Sequence, residues 1–68
     1  MEKDKWTGLL IGRMHNEEVT YAELGAEMGI SEAYVSMILN GARKPNGMQS
    51  KMESALDAII ERRKEIER

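Results

Sequence analysis

The sequence of 68 residues offers few side chains that could catalyse a reaction or hold a metal ion. It has no cysteine, which excludes disulfides and thiolate zinc sites. The single histidine, His15, is followed by Glu17 and Glu18, a pattern more typical of a surface histidine near a helix end than of a metal site. No arrangement of serine, histidine and acid suggests catalysis, and no glycine-rich phosphate loop is present. We therefore expect no enzyme activity, no cofactor, no metal and no small-molecule substrate.

Two adjacent cations, Arg43 and Lys44, are the clearest candidates for binding an anion. They lie in a linker in which Pro45 biases Lys44 away from the helical conformation. They are either solvated linker charges or contacts to a nucleic-acid backbone. The formal net charge of −2 is unusual for a nucleic-acid binder, which is typically basic. A local basic surface still binds phosphate on an acidic protein, so the distribution of charge matters more than its sum.

Apolar residues recur with helical spacing in four segments, and strand patterns are scarce. The length fits one domain over residues 1–68, with no room for a second core. We predict an all-α fold, a compact bundle of four to five helices. The predicted helices cover residues 4–15, 21–28, 32–40 and 47–68. Asp4 is the expected N-cap of the first helix. The apolar face predicted for that helix consists of Trp6, Leu9, Leu10 and Met14.

The segment from residue 20 to residue 41 has the features of two short helices joined by a tight turn. Thr20 and Glu23 form a capping box, and Ser31 is a suitable N-cap for the second helix. Gly29 should end the first helix at a positive φ, and Gly25 should let the second helix pack closely. This arrangement is a helix-turn-helix. Its predicted inward-facing residues are Leu24, Met28, Ile30, Val35, Ile38 and Leu39.

The residues that carry a family resemblance are Leu24, Gly25, Met28, Gly29, Ile30, Ser31, Tyr34, Val35, Ser36, Asn40, Gly41, Arg43 and Pro45. They lie within TYAELGAEMGISEAYVSMILNGARKP, which resembles the Cro/Xre family of helix-turn-helix regulators, a family that includes the lambda-type phage repressors. The predicted helices before and after this segment also fit. The resemblance implies a compact, lambda-repressor-like all-α bundle whose second motif helix enters the major groove of duplex DNA. Members of the family often bind as dimers.

Matched by position, the resemblance implies two sets of DNA contacts. The residues implied to face base edges are Glu32, Ala33, Ser36 and Met37. Those implied to lie near phosphates are Tyr21, Tyr34, Asn40, Arg43 and Lys44. Glu32 can accept a hydrogen bond from cytosine N4, although its charge repels backbone phosphate. Met37 either touches a thymine methyl group or is exposed, as single apolar residues often are.

The predicted C-terminal helix, residues 47–68, is longer than the small motif needs to cover its core. Its apolar residues repeat at spacings of three, four and seven, which gives a short seam. We predict a homodimer formed partly through this seam; the alternative is that Ile59 and Ile60 fold back on Trp6. The seam residues are Met52, Ala55, Ile59 and Ile66. The methionines expected in the core are Met14, Met28, Met48 and Met52.

We predict that the chain binds duplex DNA sequence-specifically, as a small transcriptional regulator of the phage or mobile-element repressor type. The rival hypothesis keeps the fold but uses an acidic surface to bind a protein. Three carboxylates, on Glu23, Glu27 and Glu32, oppose the two cations of the linker and leave the motif region at −1. No apolar run approaches the length of a membrane span, and no signal-peptide pattern follows the polar first residues. With no cysteine, these features predict a cytoplasmic protein.

Overall fold

Four α-helices and their connections make up residues 5–67, the part of the chain that the computed structural model describes. The helices are α1 (Lys5–Asn16), α2 (Tyr21–Met28), α3 (Glu32–Leu39) and α4 (Met48–Glu67). No strand occurs within these residues, so the predicted all-α fold is confirmed. Asp4, the predicted N-cap of α1, lies outside the described residues. The prediction extended α3 by one residue too many, since Asn40 is its C-cap.

Hydrogen bonds from side chains fix the starts of α2 and α3. The Thr20 hydroxyl oxygen accepts from the backbone N–H of Glu23 at 3.1 Å, and the Glu23 carboxylate accepts from the backbone N–H of Thr20 at 3.1 Å. The Ser31 hydroxyl oxygen accepts from the backbone N–H of Tyr34 at 3.0 Å. Each bond satisfies a backbone donor that has no partner inside its helix. The predicted capping box and the predicted cap of α3 are both confirmed.

The turn between α2 and α3 brings the backbone of one helix very close to the start of the next. Gly29 has φ 75°, as predicted, and the N–H of Ile30 donates to the carbonyl of Gly25 at 2.9 Å. A Cβ atom on Gly25 would lie 2.7 Å from the carbonyl oxygen of Ile30 and 3.3 Å from that of Ser31. Gly25 was expected to pack against α3 itself. Its close neighbour is instead the backbone of the turn, because the chain folds over α2 before α3 begins.

All four helices contribute to one apolar core. The predicted inward residues of α3 are confirmed, since Val35, Ile38 and Leu39 are all buried. Of the four methionines expected there, three are buried and Met28 is half-buried against the core. The buried side chains that α4 contributes are Met48, Met52, Ala55, Leu56, Ile59 and Ile60.

The face that α1 buries differs from the predicted one. Thr7, Leu10 and Met14 are buried, whereas Leu9 is 75% exposed and Trp6 is half-buried. At about 100° per residue, Leu9 lies roughly 140° around the helix from Met14. Leu9 lies at the edge of the predicted face farthest from Met14, on the side that the other helices leave uncovered, so its prediction as a core residue was wrong.

The predicted dimer seam on α4 is occupied by the chain's own core. Met52 is 0% exposed, and Ala55 and Ile59 are also buried, so only Ile66 remains at the surface, at 78% exposure. Ile59 and Ile60 fold back into the chain's own core, against which Trp6 also packs, while contact of either isoleucine with Trp6 itself stays a prediction. A second copy cannot use this seam. None of the helices in the described residues combines the length and apolar character that crossing a membrane would need.

Candidate nucleic-acid interface

The outer face of α3 is defined by what its inner face buries. Val35, Ile38 and Leu39 point into the core, which leaves four side chains on the other side of the helix, two in its first turn and two in its second. Three of these are exposed, and the fourth, Ser36, is half-buried. The structure thus brings together the four residues predicted to face base edges, which are Glu32, Ala33, Ser36 and Met37.

A hydrogen-bonded turn places the linker cations at the other end of α3. The carbonyl oxygen of Met37 accepts from the N–H of Ala42 at 2.9 Å and from the N–H of Arg43 at 3.1 Å. Gly41, with φ 84°, supplies the left-handed residue that this reversal needs. The side chains of Arg43 and Lys44 are exposed directly beyond the turn. Their backbone position is therefore tied to the register of α3.

The other three residues predicted near phosphates differ in how exposed they are. Asn40 is exposed at the end of α3, where its amide lies 3.5 Å from the Ser36 hydroxyl, the outer limit for a hydrogen bond. Tyr21 and Tyr34 are half-buried and pack against the core. Both rings therefore contribute to stability whatever else their hydroxyl groups do. Phosphate contact by these residues stays a prediction.

Two arginines of α4 neutralise the acidic side of α2. Arg62 forms an ion pair with Glu27, and Arg63 forms one with Glu23 at 2.5 Å. Arg63 also donates to the backbone carbonyl of Glu17 at 2.6 Å. Sequence reasoning missed these pairs because they join positions 35 and 40 residues apart. The available clue was the opposite charge of two acids one turn apart on α2 and two arginines late in the chain.

The Glu23 carboxylate has two structural roles at once. The backbone N–H of Thr20 donates to it and lowers its pKa below the ordinary value; burial opposes this, and hydrogen bonds from Arg63 and the Thr20 hydroxyl lower the pKa further. Glu23 therefore stays ionised at neutral pH, where it caps α2 and holds α4 against it. Two of the three carboxylates counted on the motif, Glu23 and Glu27, are therefore paired with arginines within the bundle.

An open cleft of about 580 Å³ lies next to the linker, between the start of α1 and the start of α4. Trp6, Arg43, Lys44 and Gln49 are among its lining residues. It adjoins the end of α3, so the linker cations and the first turn of α4 share one concave surface. Within residues 5–67, no group of three or more His, Cys, Asp or Glu side chains is placed to hold a metal ion.

Comparisons of the chain with protein-family models, with curated proteins and with solved structures find no match.

Proposed function

We propose that the chain binds duplex DNA by inserting α3 into the major groove, as a small transcriptional regulator with a lambda-repressor-like helix-turn-helix. The observation that carries the proposal is the exposed outer face of α3, which no other helix of the described chain covers. An α-helix with its side chains is about 10–12 Å across, so α3 fits the roughly 12 Å width of the major groove. Such a helix reaches base edges with the residues near its N-terminus.

The second support is the position of the linker cations. In this class of docking, side chains beyond the recognition helix clamp the DNA backbone while the helix faces the bases. Arg43 and Lys44 lie at that end of α3 and are exposed, and Asn40 is exposed beside them. The hydrogen bonds to the Met37 carbonyl fix the backbone of Arg43 relative to the outer face of α3.

The charge distribution favours this proposal over the protein-interaction alternative. That alternative depends on an acidic surface near α3, and two of the three carboxylates counted there pair with Arg62 and Arg63 instead. Glu32 is the remaining acid at the DNA-facing end. A DNA-binding regulator works where the DNA is, so the proposal includes a cytoplasmic location.

The test is a titration of mixed-sequence duplex DNA at several salt concentrations, followed by fluorescence anisotropy. Two phosphate contacts, from Arg43 and Lys44, predict a slope of log K against log salt of about −2 per chain. Replacing both with alanine should weaken binding to all sequences alike and flatten the slope. The matched control replaces Lys51 and Lys64, two exposed cations of α4, and should leave the slope unchanged.

A parallel NMR titration separates the two candidate functions. The DNA proposal predicts chemical-shift changes at Ser36, Asn40 and Arg43. Changes confined to the acidic side of α2 or to α4, with those three residues silent, would instead support the protein-interaction function. Absence of any duplex binding at low salt would refute the DNA proposal outright.

A further inference from the structure

The outer face of α3 carries an unusual set of side chains for a helix that contacts bases. It presents one carboxylate, one hydroxyl and two apolar side chains, and it carries no arginine, lysine, asparagine or glutamine at these four positions. Bidentate contact to guanine needs arginine or lysine, and bidentate contact to adenine needs asparagine or glutamine. The face therefore lacks the side chains that make bidentate contacts to the major-groove edges of purines, and the Ser36 hydroxyl, which can contact either kind of base, does not discriminate.

What remains on this face matches pyrimidines. An ionised carboxylate only accepts hydrogen bonds, and the N4 amino group of cytosine is the major-groove donor that acidic side chains recognise. Apolar side chains recognise the C5-methyl group of thymine. We propose that α3 reads pyrimidines, with Glu32 accepting from a cytosine N4 amino group and Met37 and Ala33 packing on thymine methyl groups. This inference rests on the proposed function and names the bases that the same site selects.

The surroundings of Glu32 suit this role. It is the first residue of α3 and is exposed, and within the described chain no ion pair or hydrogen bond occupies its carboxylate. The cap hydrogen bond at this end is supplied by Ser31, so Glu32 is not needed to begin the helix. Its side chain is therefore available to a base.

Met37 differs from the methionines of the core. Its side chain is 36% exposed, whereas Met14 and Met52 are buried at 2% and 0% exposure. Its carbonyl oxygen accepts two hydrogen bonds from the linker, so its backbone is fixed while its thioether faces outward. A flexible, polarisable side chain of this kind adapts well to a methyl group.

The spacing along the helix keeps the two contacts apart. Met37 follows Glu32 by five residues, which is a rise of about 7.5 Å and a turn of about 140° around the helix axis. The two side chains therefore leave the helix in different directions and should contact two different bases.

Modified bases give the sharpest test. Preferred sites are first selected from a pool of randomised duplexes, and each thymine is then replaced by deoxyuridine, which lacks only the methyl group. One such replacement should weaken binding by about fourfold, the size expected for one buried methyl or methylene group. Met37→Ala should abolish the difference between thymine and uracil at that position. Leu9→Ala, which removes a side chain 75% exposed on α1, is the control and should preserve it.

A second experiment changes the carboxylate of Glu32. Glu32→Gln should lose the preference for cytosine and gain affinity for adenine at the same position, because an amide can pair with adenine N6 and N7. Circular dichroism checks that each variant keeps its helices.

The outcomes separate this inference from the function on which it rests. Pyrimidine readout is overturned, while DNA binding stands, if uracil replaces thymine in the selected sites without loss of affinity. It is also overturned if Glu32→Gln leaves the base preference unchanged. Binding without any sequence preference does the same. Failure to bind any duplex overturns the proposed function and this inference together.

Discussion

Gly25 offers the most direct test of how α2 and α3 are joined. Its missing Cβ leaves room for the carbonyl oxygen of Ile30, which would lie 2.7 Å from such an atom. Ordinary carbon–oxygen contacts of this kind are about 3.3–3.6 Å, so a Gly25→Ala substitution must displace backbone by several tenths of an ångström or more. A backbone carbonyl held by a turn cannot rotate away as the end of a flexible side chain would.

The magnitude follows from two opposing effects. Alanine favours a helix over glycine by about 1 kcal/mol, and overpacking a tight site typically costs about 1–3 kcal/mol. Moving the turn also strains the hydrogen bond from the Ile30 N–H to the Gly25 carbonyl, a bond of a type worth about 1 kcal/mol. We expect a net destabilisation of about 1–2 kcal/mol. For a domain of this size, each kcal/mol corresponds to about 4–8 °C in Tm.

The assay is thermal unfolding followed by circular dichroism, with Gly12→Ala as the matched control. Gly12 lies within α1, and a Cβ there would meet nothing within 4 Å, so alanine should raise Tm by its helix propensity alone. The two substitutions are chemically identical and should act in opposite directions. If Gly25→Ala raised Tm as Gly12→Ala does, the close approach of the turn to α2 would be refuted.

Two further predictions concern the ion pairs and the oligomeric state. Because the pKa of Glu23 is lowered in the folded chain, its charge stabilises the fold at pH values above the ordinary pKa of about 4.5, and this contribution is lost as the pH falls through the lower folded pKa. Glu23→Gln should therefore reduce stability at neutral pH, and in urea unfolding the difference from the parent should shrink below the ordinary pKa and close once the pH is below the lowered folded pKa; a difference that persisted at low pH would contradict this. We also expect a homodimer through the exposed side of the end of α4, which includes Ile66. Analytical ultracentrifugation at high micromolar concentration should detect it, Ile66→Ser should weaken it, and Leu9→Ser should not; a parent chain that is only monomeric would refute dimerisation.

Local sequence features predicted the starts of α2 and α3 well. The capping box of Thr20 and Glu23, the Ser31 cap and the positive φ of Gly29 all depend on residues within a few positions of one another. Such interactions are complete within one turn of chain, so no tertiary information is needed to foresee them. The outer face of α3 followed from the same local periodicity, because the residues that are not buried must lie opposite those that are.

Features that depend on distant partners were harder to predict. The spacing of apolar residues in α1 is compatible with more than one buried face. Only the positions of the other helices decide that Thr7 is buried and Leu9 exposed. An apolar repeat such as that of Met52 and Ile59 indicates burial without saying whether the partner is the same chain or another copy. The pairing of Arg63 with Glu23 joins two helices that the sequence alone does not bring together.

The double hydrogen bond at the Met37 carbonyl has a kinetic consequence for the proposed function. The linker that carries Arg43 is already folded against the end of α3 before any partner arrives. Little backbone entropy then remains to be lost when the cation meets a phosphate, since the loop does not have to be ordered during docking. Association should proceed as an encounter of nearly rigid bodies, with backbone movements at the interface of about 1 Å or less. A glycine-lengthened linker would retain the same charges but form the complex more slowly.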